Sequence, residues 1–158
     1  MRPLRVAIVH ERFTEFAGSE AVVAELLNTW PDATVFAPIV SPAGVRPPLG
    51  TIEDTWLSRA YALTGGRTHS PLLPFVPRAM RHLPLRGRFD VVIVSHHSFA
   101  TQVVFATDAP VVAYVHSPSK WAWDDDYSTQ ETRGPVGMAA FRAPVSYTHL
   151  TLPTTPYV

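Results

Sequence analysis

Seven histidines and thirteen carboxylates are spread over 158 residues, and three short stretches concentrate them where they could do chemistry. His10-Glu11-Arg12 closes a β-branched apolar run that begins at Arg5. Ser95-His96-His97-Ser98 closes a second run from Asp90, and His116-Ser117-Pro118 closes a third from Val111. An imidazole can donate or accept a proton near neutral pH, or ligate a metal. In an open parallel sheet, ligands bind outside the carboxyl ends of the strands, so three imidazole-bearing strand ends imply one shared cleft. His10, His97, Ser98 and His116 are the first candidates for contact with a bound molecule.

The segment from His116 to Tyr127 is the most distinctive. It holds Trp121, Trp123, the only lysine (Lys120) and three consecutive aspartates from Asp124 to Asp126. Aromatic faces flanked by hydrogen-bonding groups suit sugars, whose C–H faces pack on rings while their hydroxyls need partners. Packing of the two tryptophans under a loop, with solvated aspartates, is the competing reading. The aspartates could also ligate a divalent metal with His96 or His97, but no spaced ligand motif such as H-E-x-x-H accompanies them.

Gly18-Ser19-Glu20 opens a helix, where free backbone N–H groups and the helix dipole favour a phosphate or carboxylate. Ser19 could equally serve only as an N-cap. The dinucleotide fingerprint G-x-G-x-x-G is absent, and the second strand ends at Phe36-Ala37-Pro38 without the acid that would hold a ribose. NAD and FAD are therefore not expected. A P-loop is missing as well, which argues against an ordinary NTPase.

The elements that must position these groups follow from pattern. Arg5 to His10, with no polar alternation, reads as a strand buried on both faces. Glu20 to Trp30 puts Val22, Val23, Leu26, Leu27 and Trp30 on one helical stripe, and Pro31-Asp32 ends it. Thr34 to Ala37 is a second strand. From Ser41 to Arg88 the signals weaken: short helices are expected over Trp56–Leu63 and Pro77–Leu83 within a proline-rich irregular connection. Asp90–Ser95 is another doubly buried strand, a short helical stretch follows near Phe99–Phe105, and Val111–Val115 is a fourth buried strand. The pattern predicts a Rossmann-like α/β fold, an open parallel sheet with helices on both faces.

Composition narrows the field. At 46% hydrophobic and 16% charged, the chain is too apolar to be disordered. Thirteen basic and thirteen acidic residues cancel without a block of like charge, so a nucleic-acid partner is not expected. With no cysteine there is no disulfide framework or thiolate chemistry. No apolar run approaches the ~20 residues needed to span a bilayer, and Met1 to Arg5 leads straight into a strand with no cleavage signal; a cytoplasmic protein is expected.

The last fifteen residues differ. Pro144 to Val158 contain neither alanine nor arginine, whereas the preceding 143 residues hold eighteen and twelve. The segment also resembles the in-frame translation of a transposase adapter used in preparing sequencing libraries. Residues 144–158 are expected to be non-native read-through, and 1–143 a domain that continues past Ala143 in the intact protein.

Taken together, Val6-Ala-Ile-Val-His10, the loop ending Gly18-Ser-Glu20, Asp90-Val-Val-Ile-Val-Ser-His-His97 and Tyr114-Val-His-Ser-Pro-Ser-Lys-Trp-Ala-Trp-Asp124 resemble the amino-terminal half of family 4 retaining glycosyltransferases. The branch most similar is bacterial, often mannosyltransferases building surface polysaccharides or glycolipids. The resemblance spans Leu4 to Tyr127 and lies in the order and spacing of the motifs. It implies the acceptor-side half of a GT-B architecture, with the nucleotide-diphosphate sugar gripped mainly by a second domain and no cofactor. The reaction implied is sugar transfer to a saccharide or lipid-linked acceptor with retention. By resemblance, Gly18 and Ser19 approach the donor phosphates, and the strand-end His116 contacts the transferred sugar. The family's usual second glycine is Ser19 here. His10, His97, Ser98, Trp121 and Trp123 remain candidate sugar or acceptor contacts. Peripheral membrane contact is also implied, although residues 41–88 carry no basic amphipathic helix. Two other readings stay open: a stand-alone sugar- or phosphate-binding module, and a metal-dependent hydrolase.

Overall fold

In the computed structural model, which describes residues 2–116, β1 (Val6–His10) is buried along its whole length. A strand covered on both faces has no solvent side, and its sequence therefore runs apolar without alternation. The chain continues through β2 (Arg12–Phe13), α1 (Gly18–Thr29), β3 (Thr34–Phe36), β4 (Ile39–Val40), a 3₁₀ turn at Pro42–Gly44, β5 (Ile52–Glu53) and α2 (Trp56–Leu63). A 3₁₀ segment at Ser70–Phe75 then leads into α3 (Val76–Arg81), followed by β6 (Val91–His96), a 3₁₀ segment at Ala100–Phe105 and β7 (Val111–Val115).

Five strands form one parallel sheet in the order β5-β3-β1-β6-β7, while β2 and β4 pair separately. The chain builds outward from β1 through β3 to β5, then returns to the other side of β1 to lay down β6 and β7. The order thus reverses between β1 and β6, and the crevice at a parallel sheet's carboxyl edge opens at such a reversal. This is the α/β, Rossmann-like open sheet that the sequence pattern implies.

Register decides which side chain faces which layer. Ile8 pairs with Ile93 and His10 with Ser95. Val6, Ile8, Val35 and Ile93 pack against Val23 and Leu27 of α1. Ala7, Val9, Phe36, Val92 and Val94 face the opposite layer, with Leu57 of α2 and Met80 of α3. Burying a Val, Leu, Ile, Phe or Met side chain fully in this way contributes about 1.5–3 kcal/mol. By the two-residue period of a strand, His10 and Ser95 continue the α1 face, and His96 the other. At the amino ends, Asp90 ties the strands together, accepting from the backbone N–H of Arg5 at 2.9 Å and from its guanidinium at 3.0 and 3.2 Å.

Several elements depart from the sequence-based expectation. α1 starts two residues earlier, because Glu20 is its third residue and turns back to the backbone N–H of Ala17, the N-cap, at 2.9 Å. The irregular connection contains an unexpected edge strand, β5, only two residues long. The short helical stretch expected near Phe99–Phe105 is present, as a 3₁₀ segment over Ala100–Phe105. β7 is a strand as expected but not a buried one: Val112, Tyr114 and Val115 are exposed among the described residues, since none of the described elements covers this edge.

Gly44 holds the small β2–β4 sheet against the turn that follows it. A Cβ there would sit 2.2 Å from the Phe13 carbonyl carbon and 2.3 Å from its oxygen. Only glycine allows that backbone approach.

Candidate functional site

At the carboxyl edge, the ends of β1, β6 and β7 and the start of α1 converge. The His97 and His116 rings stack with centroids 4.3 Å apart and planes 11° apart. The His10 ring lies 6.0 Å from that of His97, edge to face. The three strand-end imidazoles singled out in the sequence therefore share one place.

Their environments differ. His10 is 1% exposed. Its Nδ1 lies 2.9 Å from the Ser95 hydroxyl and its Nε2 3.1 Å from Glu20 Oε1, so both nitrogens are used within the protein. His10 lies beneath the cleft, offering no free nitrogen to a ligand in this arrangement. His116 is only partly buried, and its Nε2 lies 2.8 Å from the same Ser95 hydroxyl. Burial, then the neighbouring His10, push its pKa below the ordinary imidazole value. Burial likewise takes His97 down to about 4. The stacked pair is therefore neutral at pH 7.

Glu20 anchors the other end of this chain of contacts. Its Oε2 accepts from the Ala17 backbone N–H and from the Ser19 hydroxyl, each at 2.9 Å. Burial pushes the carboxyl up, but the hydrogen bonds from His10 and the backbone outweigh it and hold the pKa at about 2. The Ser19 hydroxyl is thus committed to Glu20. The amino end of α1, where a phosphate was expected beside Gly18 and Ser19, already carries this full negative charge. A Cβ on Gly18 would meet nothing within 4 Å, so the chain itself does not demand glycine there.

Glu11 plays a matching part after β6. Its Oε1 accepts from four successive backbone N–H groups, those of His97 (3.0 Å), Ser98, Phe99 (2.6 Å) and Ala100 (3.1 Å). These are the donors a ligand anion would otherwise find at the start of the 3₁₀ segment. Burial pushes the Glu11 carboxyl up, yet these bonds, with help from His96 and Arg12, bring it below its ordinary value. Ser98, expected at a ligand contact, contributes its backbone to this cap. His96 turns to the opposite face, where its buried Nδ1 has no hydrogen-bond partner among the described residues and lies 3.8 Å from Glu11 Oε1.

Sequence reasoning named the strand-end histidines but gave Glu11, Glu20 and Ser95 no role. Ser95 was findable: it stands two residues before His97, so alternation puts both on one face. The reach of Glu20 back to His10, ten residues earlier, carries no sequence signal. Trp121, Trp123 and Asp124–Asp126 lie outside the described residues, as does 144–158.

Ser95, His10 and Glu20 also have the connectivity of a serine-hydrolase triad. The serine is fully buried, however, and its oxygen is engaged by both His10 and His116, which leaves no path for nucleophilic attack on a substrate. Among the described residues no group of three metal-ligating side chains gathers. A cavity of about 420 Å³ lies at the opposite, amino edge of the sheet beside Arg5, Asp32, Thr34 and Arg88. Its two arginines are paired with Asp90 and Glu53, which gives an anion little to bind.

No family model, curated protein or solved structure matches the chain.

Proposed function

We propose that this chain is a Rossmann-like, sugar-handling domain of a retaining glycosyltransferase, whose strand-end cleft takes a hydroxyl-rich saccharide. The observation that carries the reading is the neutral His97–His116 stack at the sheet's reversal point. The stacked rings offer a flat face for C–H packing, and Nδ1 of His116 a nitrogen for a hydroxyl, the pairing of surfaces a pyranose needs. His116 is the residue expected to contact the transferred sugar, with His97 backing its ring.

In this reading the reaction moves a sugar, mannose being the first to test, from a nucleotide-diphosphate donor to a polysaccharide or glycolipid acceptor. The domain contributes positioning more than charge. Glu11 and Glu20 fill the backbone donor sites on either side of the cleft, so the donor's diphosphate is held mainly by a second domain. Among the described residues no helix is long and apolar enough to cross a membrane. We place the domain in the cytoplasm, reaching a membrane surface when its acceptor is lipid-linked.

The test is a titration of the ¹⁵N-labelled chain with methyl mannoside, GDP-mannose and UDP-glucose. Shifts should cluster at 10–11, 95–98 and 116 and vanish in His116→Ala. Shifts confined to other surfaces, or none at millimolar sugar, would overturn the reading.

A further inference from the structure

Four side chains form one unbroken line from the buried end of α1 to the mouth of the cleft: Glu20, His10, Ser95 and His116, with successive contacts of 3.1, 2.9 and 2.8 Å. The first three are at most 5% exposed, so water does not scramble their hydrogen bonds. We infer that this line is a tautomer relay in which Glu20, acting through His10 and Ser95, fixes which nitrogen of His116 carries the proton, and so makes His116 an acceptor for a ligand hydroxyl.

Proton counts set the direction of each hydrogen bond. A carboxylate can only accept, so Nε2 of His10 must donate to Glu20. The relay takes His10 to carry that one ring proton, so its lone pair is on Nδ1 and takes the single Ser95 hydroxyl proton. The Ser95 oxygen, its proton spent, accepts from Nε2 of His116. That leaves Nδ1 of His116 unprotonated and, among the described residues, without a hydrogen-bond partner. Such a nitrogen accepts from a sugar hydroxyl and repels an oxyanion, whose lone pairs would meet its own. Glu20, His10 and Ser95 are positioning residues here, and only His116 touches the ligand. The ligand class rests on the function proposed above; the proton arrangement does not.

Substitution at Glu20 should reverse the line. In Glu20→Gln the amide oxygen must stay with the Ala17 N–H, which can only donate, so the NH₂ group faces His10 Nε2. His10 must then carry its proton on Nδ1 and give it to Ser95, and Ser95 must give its own to Nε2 of His116. Every hydrogen bond changes direction without moving a heavy atom.

Long-range ¹H–¹⁵N spectra of the histidine-labelled chain read these tautomers directly. The native chain should show Nε2–H on both His10 and His116. Glu20→Gln should convert both to Nδ1–H, and adding Ser95→Ala should leave His10 converted but return His116 to Nε2–H. A native His116 in the Nδ1–H form, or a His116 that keeps Nε2–H in Glu20→Gln while His10 converts, would overturn the relay. Should Glu20→Gln fail to fold, Ser95→Ala alone decides: the exchange-protected His116 Nε2–H signal of the native chain should be lost, and its persistence would sink the proposal. Methyl mannoside is then added to the native chain. A shift of the His116 Nδ1 resonance supports the ligand class. A correct tautomer pattern with no response to the sugar would uphold the relay and reject the sugar-handling function.

Discussion

The His97 and His116 side chains lie parallel, 4.3 Å between ring centroids, although they come from different strands and neither ring is charged at neutral pH. Charged imidazoles would repel at this distance, so the stack and the lowered pKa values support one another. His97→Phe keeps a flat neighbour for His116, whereas His97→Ala removes it. Saccharide affinity should fall about two- to thirteenfold in His97→Ala, from an aromatic pair worth about 0.5–1.5 kcal/mol, and much less in His97→Phe. Calorimetric titration of both variants checks this.

Glu11 is expected to matter more for stability than any cleft histidine. Removing its carboxylate orphans four backbone N–H groups at once, including those of the buried Phe99 and Ala100. Glu11→Ala should cost about 3 kcal/mol or more, since each buried unsatisfied donor costs about 1–3 kcal/mol. Glu11→Gln keeps one acceptor oxygen and should cost less. Urea midpoints at unchanged slope measure the difference.

Stability should fall with acid in two stages. Below pH 6.5 the unfolded chain protonates histidines that the fold holds neutral, so the unfolded state binds more protons and stability declines from 6.5 towards about 4, the value of His97. Glu20 acts in the same direction lower down. Its folded pKa is about 2 against an ordinary 4.5, so its contribution is complete above 4.5 and drains away towards about 2. Glu20→Gln should shrink the lower stage, to which Glu11 and Asp90 also contribute, and leave the upper one, as read from thermal midpoints across pH.

Two glycines give opposite expectations. Gly44→Ala forces a methyl into the Phe13 carbonyl and should destabilise by about 3 kcal/mol or more, towards the upper end of overpacking costs. Gly18→Ala points into open space and should stay within ~0.5 kcal/mol of the native chain. Thermal unfolding of the pair side by side is the measurement.

Much of the scaffold was legible because burial on two faces leaves a plain mark. Val6–Val9 and Val91–Val94 carry no polar alternation, and both proved to be central strands. Trp56–Leu63 matched its helix to the residue. β5 was invisible, since two residues just after Pro47, Pro48 and Gly50 have no period to detect. β7 was misjudged as buried because an apolar edge strand and an apolar central strand read alike. The meeting of His10, His97 and His116 followed from topology alone. What did not follow was rank: that His10 is support rather than contact, and that Ser95 links the imidazoles, depend on strand register, which the sequence does not spell out.

The two buried glutamates have a consequence for ligand choice. Rossmann-like folds commonly draw phosphates to the bare amide groups where strands hand over to helices. Here that role is taken in advance at the start of α1 and of the 3₁₀ segment after β6, by acids built into the polypeptide itself. The molecule has become its own counter-anion there, and the ligand proposed for it is accordingly an uncharged one that brings protons to share.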